Sequence, residues 1–139
     1  MKIKIVLDPG AAMPSRAHET DAGLDLYSRE RAVIYAGESH FFDTGVHVEI
    51  PPGYVGFIKA KSGLNKNYGV TCTGVVDSGY TGSVGVNLIN NGKKHVIIKG
   101  NQKIAQLVIL PIELPELELV ESLEDTERGS GGFGSTGEF

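Results

Sequence analysis

The stretch VHVEIPPGYVGFIK, residues 46–59, decides the fold. Apolar and polar side chains alternate from Val46 to Ile50, which is typical of a strand with one buried face. Pro51-Pro52-Gly53 then ends that strand, because proline lacks the backbone donor of a sheet ladder and glycine suits a tight turn. Another strand-like run covers residues 54–59. The stretch therefore predicts two β-strands separated by a short turn.

Short apolar or alternating runs of the same kind recur along the chain, with turn residues between them. The segment 90–92, Asn-Asn-Gly, predicts a hairpin turn, because Asn and Gly tolerate positive φ. No long window has helical spacing, and the one helical candidate is a short turn near 64–67, after Ser62. We therefore expect an all-β fold, a distorted jelly-roll or barrel with one short helix. The further runs are 3–7, 32–35, 84–89, 96–98 and 103–110.

Length and charge exclude several classes of protein. A chain of 139 residues makes one domain, and its single cysteine, Cys72, cannot form an intramolecular disulfide. The balance of 13 Lys+Arg against 17 Asp+Glu argues against a nucleic-acid coat. The apolar runs fall far short of a membrane span, and the first ten residues lack a signal-peptide core. We expect a soluble protein of the cytoplasm, or of the host cell if it is viral.

The C-terminal segment differs in composition from the rest. Residues 128–137, RGSGGFGSTG, contain five glycines in ten positions, which no strand or helix favours. A disordered tail is the simplest interpretation. However, Arg128 and Phe133 supply one cation and one aromatic ring, as a lid over a ligand with a phosphate and a flat ring requires. We expect a β domain over 1–127 and a flexible lid over 128–139.

Two segments offer groups for a metal or an anion. Asp25 lies among apolar neighbours in AGLDL, either as a turn cap or as a carboxylate near Mg²⁺ and its waters. Lys61-Ser62-Gly63 supplies a cation, a hydroxyl and an accessible backbone before the short helix. Ser62 is either a helix N-cap or a phosphate contact.

Two further segments suggest a catalytic base and another phosphate contact. Residues 74–82 read as a tight hairpin bounded by glycines, with Asp77 and Tyr80 within it. Asp77 is placed to act as a general base toward water and Tyr80 to press against a sugar; a plain Asp–Gly turn with a packing tyrosine is the alternative. Gln106 interrupts an apolar strand, pointing either to solvent or to a phosphate oxygen.

The remaining candidates carry little signal. No two of the four histidines have metal-ligand spacing, and His47 with Glu49 resembles the wet face of a strand. Cys72 has no histidine nearby in sequence, so we expect a small buried residue rather than a nucleophile. A P-loop is absent.

Together, five segments resemble, in order, the five motifs of the homotrimeric deoxyuridine triphosphate nucleotidohydrolases, or dUTPases. The similarity runs from about Thr20 to Gly137, and the glycine-rich tail is its most specific part. The segments are residues 22–26, 61–63, 74–82, 103–107 and 128–137.

The resemblance implies a β jelly-roll, a homotrimer with three sites at its subunit interfaces, and hydrolysis of dUTP to dUMP and pyrophosphate with Mg²⁺. Asp77 matches the base that activates water, Tyr80 the residue that stacks under the deoxyribose, and Asp25 the carboxylate that holds Mg²⁺ through water. In the tail, Phe133 would cover uracil and Arg128 would grip the terminal phosphates. The other implied substrate contacts are Gly74, Val75, Val76, Gly85 and Thr71 for uracil, and Lys61, Ser62, Gly63, Gln106, Gly134, Ser135 and Thr136 for phosphates.

Some positions depart from the family pattern. Lys61 and Lys103 stand where arginine is usual, which replaces a bidentate fork with a point charge. Gly79, Thr81 and Ser83 replace residues that are commonly charged. These departures affect phosphate geometry and affinity, and they leave the type of reaction unchanged.

Two other functions are weighed against dUTP hydrolysis. The dCTP deaminases of the same superfamily share the Asp-x-Gly-aromatic pattern, but they need a glutamate about ten residues after the aspartate, where this chain has Asn87. A catalytically silent binding protein on the same fold would have no use for an intact Asp77, Tyr80, Arg128 and Phe133.

Overall fold

The computed structural model describes residues 1–139, with ten β-strands and one short helix. The single helix has seven residues and is far too short to span a membrane. The helix, α1, is Ser62–Tyr68, where the sequence predicts it. The strands are β1 (Lys4–Leu7), β2 (Gly23–Tyr27), β3 (Ala32–Ile34), β4 (Ser39–Glu49), β5 (Tyr54–Ala60), β6 (Val70–Thr71), β7 (Thr73–Val76), β8 (Ser83–Asn90), β9 (Val96–Ile98) and β10 (Lys103–Pro111).

The strands form three separate sheets. One has the order β1-β4-β8-β6, the second β2-β10-β5-β7, and a small third sheet pairs β3 with β9. Every named strand pairing is antiparallel. The all-β prediction with one short helix is confirmed, although the sheets do not close into a barrel.

One hydrophobic core joins the three sheets. Its largest fully buried side chains include Leu26 from β2, Phe42 from β4, Leu88 from β8 and Ile98 from β9. Truncating a residue of this kind to alanine typically costs about 2–5 kcal/mol, so the core fixes how the sheets face one another.

The turn expected at 90–92 does not make a hairpin. β8 pairs with β4 and β6, whereas β9 pairs with β3 in another sheet. Asn90 is buried, and its side-chain amide donates to the carbonyls of Ile34 at 2.9 Å and Lys94 at 2.8 Å. Asn90 therefore stabilises the segment in which the chain passes from one sheet to another.

The expected hairpin over 74–82 is also wrong. β7 pairs with β5, and β8 lies in the other large sheet, so residues 77–82 form a crossing between two sheets. We call this segment the 77–82 loop. A tight turn does open it, because the Tyr80 amide donates to the Asp77 carbonyl at 3.2 Å and Gly79 takes a positive φ of 89°.

Candidate active site

A cavity of about 280 Å³ opens where the 77–82 loop leaves β7. The loop positions Asp77 and Tyr80 at its rim, both exposed. The sequence-predicted uracil contacts Gly74, Val75, Val76 and Gly85 all line the same cavity.

Close backbone approach gives the cavity its shape. A Cβ at Gly85 would collide with the ring of Phe41 on β4, so only glycine leaves this wall open. A Cβ at Gly74 would come within 3.2 Å of the side chain of Ile58 on β5. Peptide edges are thus available to a flat ligand, which suits recognition of a base by backbone donors and acceptors.

The returning limb of the 77–82 loop is held by its own hydrogen bonds. The Tyr80 hydroxyl donates to the Ser83 carbonyl at 3.0 Å. The Ser83 hydroxyl donates to the Asp43 carboxylate on β4. That bond, with the Gly45 amide behind it, lowers the pKa of the Asp43 carboxyl below its ordinary value. The tyrosine ring therefore has a fixed orientation at the rim.

A second cluster of polar groups lies around Asp25 on β2. The Lys61 ammonium lies 2.5 Å from one carboxylate oxygen and the Lys103 ammonium 2.7 Å from the other. Asp25 is buried, with a residue exposure of 3%. Burial alone raises the pKa of its carboxyl, but the hydrogen bonds from Lys103 and Lys61 outweigh burial and hold the pKa below its ordinary value of 3.8.

The formal charge of this cluster, one carboxylate against two ammonium groups, favours an anion. The bond to Asp25 raises the pKa of the Lys103 ammonium, so it stays charged at neutral pH. No group of three or more His, Cys, Asp or Glu side chains could enclose a metal ion. An ionised carboxylate has about four lone-pair positions, so Asp25 can still accept hydrogen bonds from metal-bound waters while it holds both lysines. Its chemistry therefore fits an outer-sphere contact to Mg²⁺.

The neighbouring phosphate candidates lie beside this cluster. Gln106 is the cross-strand partner of Asp25, and its side chain lies against Gly23, where a Cβ would overlap it. Ser62 begins α1 and is exposed, and the N-cap is Lys61 with no side-chain capping bond. The N-cap interpretation of Ser62 is therefore wrong, and its hydroxyl and exposed Gly63 face solvent.

Asp77 and Lys61 lie beyond opposite ends of β5, although the cavity itself extends along β7 to Gly74, opposite Ile58. β7 runs antiparallel to β5, with Val76 opposite Gly56 and Thr73 opposite Lys59. Asp77 thus follows the Gly56 end, whereas Lys61 follows the other end, five residues or about 17 Å along the strand at ~3.3 Å per residue. One copy of the chain does not bring Asp77 to the charged cluster.

Thr71 and the C-terminal tail lie apart from both the cavity and the charged cluster. Thr71 does not line the cavity, and its hydroxyl accepts a 2.7 Å hydrogen bond from Asn91. In the tail, Phe133 is fully exposed, and Arg128 donates to the Gly131 carbonyl at 2.8 Å. The remaining tail contacts, Gly134, Ser135 and Thr136, are exposed as well.

Phe41 and Ser83 are cavity residues that the sequence analysis missed. The alternation in β4 predicts which residues face the core, but it does not predict that Phe41 on the opposite face covers Gly85. Cys72 is buried, as expected, and burial raises the pKa of its thiol to about 11, which keeps it protonated at neutral pH.

Comparison with known proteins covers nearly the whole chain. The dUTPase family pattern matches residues 10–137. The deoxyuridine 5'-triphosphate nucleotidohydrolase of Clostridium acetobutylicum is 44% identical over 99% of this chain and 96% of its own length. The enzyme of the same name from Gloeothece citriformis is 45% identical over 99% and 97%.

Solved structures agree with these relatives. The dUTPase of Staphylococcus bacteriophage 80alpha with dUPNHPP superposes with a TM-score of 0.93 at 35% identity, over 99% of both chains. A mutant dUTPase from phage phi11 of S. aureus, described with a structural Mg(II) ion, has a TM-score of 0.83 at 33% identity, over 90% of this chain and 100% of that one.

Proposed function

The chain belongs to the dUTPase family and is a dUTP diphosphatase, and we propose that it uses an Asp77-activated water and Mg²⁺ to release dUMP and pyrophosphate. The observation that carries this proposal is the pairing of Asp77 and Tyr80 at the rim of one cavity walled by backbone. The product dUMP would supply thymidylate synthesis, and removal of dUTP would limit uracil in DNA. We place the reaction in the cytoplasm, where its nucleotide substrate is found.

At the nucleoside end, shape and backbone polarity select the substrate. The uracil edge pairs with peptide groups at Gly74–Val76 and near Gly85, and Phe41 limits the depth of the cavity. Tyr80, fixed through Ser83, stacks against the deoxyribose and leaves no room for a 2′-hydroxyl. Asp77 accepts the proton of the water that attacks the first phosphorus.

At the phosphate end, the lysine-rich cluster neutralises the charge that develops in the reaction. Lys61 and Ser62 contact the phosphate bridge, with the Gly63 backbone beside them, and Gln106 contacts a phosphate oxygen. Asp25 holds the lysines and contacts the waters of Mg²⁺. When bound, Mg²⁺ neutralises phosphate charge and orients the triphosphate.

We infer that the two ends meet between different copies of the chain in a homotrimer. Their separation along β5 supports this, because one protomer keeps the base and the charged cluster apart. The segment after β10 supports it too. Its last hydrogen bond to the body joins the Ile112 amide to Gly53, and Leu117 and Leu119 beyond it are almost fully exposed. Fully extended, residues 111–128 span at most about 60 Å, enough to reach a neighbouring protomer.

The glycine-rich tail, residues 128–139, acts as the lid. Phe133 covers the uracil ring, and Arg128 with Gly134, Ser135 and Thr136 holds the terminal phosphates. Its hydrogen bonds are all local, which leaves the segment free to rearrange onto a ligand. A closed lid excludes water from the phosphates, and opening releases the product. Thr71 would contact uracil only through a neighbour or a rearranged loop.

A pyrophosphate-release assay with dUTP, dCTP, dTTP and UTP tests this function. We expect rapid release from dUTP and little from the other three. Ammonia release from dCTP would instead favour the deaminase interpretation, in which the glutamate that Asn87 replaces would have to be dispensable. Binding of dUTP with no release would identify a silent binding protein.

A further inference from the structure

His47 lies on β4, outside the cavity, and touches the loop that carries the proposed base. Its Nδ1 lies 2.8 Å from the Thr81 carbonyl oxygen, and its Nε2 lies 3.0 Å from a carboxylate oxygen of Asp8. Thr81 directly follows Tyr80, so the ring holds the loop near its C-terminal end. The expectation that His47 simply faces water does not include these two bonds.

The two partners decide the protonation state of the ring. A carbonyl oxygen only accepts hydrogen bonds, and so does an ionised carboxylate. A neutral imidazole has one N–H and can donate to one of them alone. Both bonds therefore form only when His47 is an imidazolium, with a proton on each nitrogen.

The charged groups around His47 favour that form. Asp8 and Asp43 face it from the end of β1 and from its own strand, and Arg29 lies 3.9 and 3.7 Å from these carboxylates. Lys4 and Glu49 lie with His47 around a surface hollow, but the Lys4 ammonium pairs with the Glu49 carboxylate at 2.8 Å.

The Thr81 and Asp8 bonds favour protonation of the ring. The bond to the Thr81 carbonyl and the nearby Asp8 raise the pKa of His47 above its ordinary value of 6.5, against a smaller effect of burial.

We propose that His47 is a positioning residue for dUTP hydrolysis: as an imidazolium it clamps the Thr81 carbonyl to Asp8 and so fixes the limb that carries Tyr80. This inference rests on the proposed function. The clamp joins β1, β4 and the 77–82 loop, and it works alongside the Ser83–Asp43 bond. Loss of the proton breaks one of its two bonds and loosens the tyrosine against the sugar.

The test measures kcat and KM for dUTP from pH 5.5 to 8.5 in the wild type, His47→Gln and His47→Arg. In the wild type, KM should rise as the pH passes through the titration of His47, with a smaller change in kcat. His47→Gln should raise KM about fivefold at low pH, the equivalent of one lost hydrogen bond, and show no inflection. His47→Arg, a permanent cation with several donors, should keep the low KM at every pH.

His40→Gln is the matched control, because His40 lies on the same strand and also contacts a carboxylate, Glu30, at 3.0 Å, but does not reach the loop. It should keep the wild-type profile. Asp8→Asn retains an acceptor but removes the charge, so it should move the inflection to lower pH. A His47→Gln protein with the wild-type KM and inflection would overturn the proposal.

A nitrogen-15 NMR titration of the ring separates this inference from the proposed function. Both ring nitrogens of His47 should remain protonated at pH 6.5, and a ring with one bare nitrogen there would refute the clamp. If the wild type releases no pyrophosphate from dUTP, the function itself fails and the catalytic half of the inference with it.

Discussion

Asp77, at the rim of the cavity, and the charged cluster around Asp25 lie toward opposite ends of β5, and the cavity and the cluster differ in how they are built. The cavity is walled mainly by glycines and apolar side chains, with peptide edges between them and the polar side chains of Asp77, Tyr80 and Ser83 along it. The cluster consists of one buried carboxylate between two ammonium groups. In the proposed function, the cavity would recognise a neutral shape and the cluster would neutralise charge, as the two halves of a nucleotide require. The proposal therefore needs more than one copy of the chain to complete a working site.

The largest effect is expected at the cavity rim. Asp77→Asn removes the base and keeps the shape of the loop, so turnover should fall by about 10³-fold while nucleotide binding is retained. Steady-state kinetics and titration calorimetry with dUMP measure the two separately. Asp21→Asn, which changes a partly exposed side chain outside the cavity, serves as control. Unchanged turnover in Asp77→Asn would remove Asp77 as the base.

Deleting residues 128–139 tests the proposed lid, which lies apart from both the cavity and the charged cluster. The body should fold unchanged, because the tail makes only local hydrogen bonds. Activity should fall by about 10²–10³-fold, since an arginine on developing phosphate charge contributes on that order in related chemistry. Circular dichroism checks the fold. The single variants Arg128→Ala and Phe133→Ala show how much of the lost activity comes from the phosphate contact and how much from the uracil contact. Full activity of the truncated protein would show that the tail is no lid.

At the charged cluster, Asp25→Asn leaves two ammonium groups without their counter-ion. The free energy of unfolding at pH 7 should fall by about 1–3 kcal/mol, less than the roughly 3–5 kcal/mol of a fully buried broken pair, because the lysines are partly exposed.

The same cluster predicts a dependence on acid. The folded-state pKa of Asp25 lies below 3.8, so its contribution is present above that pH and is lost as the pH falls through the folded value. Urea unfolding between pH 2 and 7 measures it. Asp25→Asn should lose less stability than the wild type on acidification, and equal losses would contradict the ion-pair assignment.

The smallest effect is expected from one methyl group in the cavity wall. Gly85→Ala drives a Cβ into the ring of Phe41 and should weaken dUMP binding about tenfold, or about 1.4 kcal/mol. Gly100→Ala, where an added Cβ meets nothing within 4 Å, is the matched control. Calorimetry that finds equal affinities in both variants would remove Gly85 from the nucleoside site.

The sequence predicts elements better than their pairing. Alternation and turn residues located seven of the ten strands and α1, because those signals are local, but β2, β6 and β7 were not among the predicted runs. The two expected hairpins, at 74–82 and 90–92, were wrong for the same reason. Turn residues predict only that the chain bends. Whether it returns to the same sheet depends on long-range packing in the core, to which Phe42 and Leu88 belong.

The candidate site shows the same limit. Motif spacing placed Asp77, Tyr80 and the residues of Gly74–Val76 together, since they are close in the chain. It did not show that both Asp25 oxygens are taken by lysines, nor that Phe41 covers Gly85, because these contacts join strands distant in sequence. The clamp at His47 was missed because an alternating strand pattern does not distinguish a solvated side chain from one bonded across the sheet edge.

The central claim, that the two ends of β5 serve sites shared between copies, is tested most directly by subunit mixing. Asp77→Asn and Lys61→Ala proteins should each be nearly inactive. In co-refolded mixtures at equal amounts, a site that takes Asp77 from one variant and Lys61 from the other is intact. Random assembly should restore about a quarter of the wild-type rate, since each contributor is correct in half of the cases. A mixture no more active than the mean of its two components would show that each chain builds its site alone.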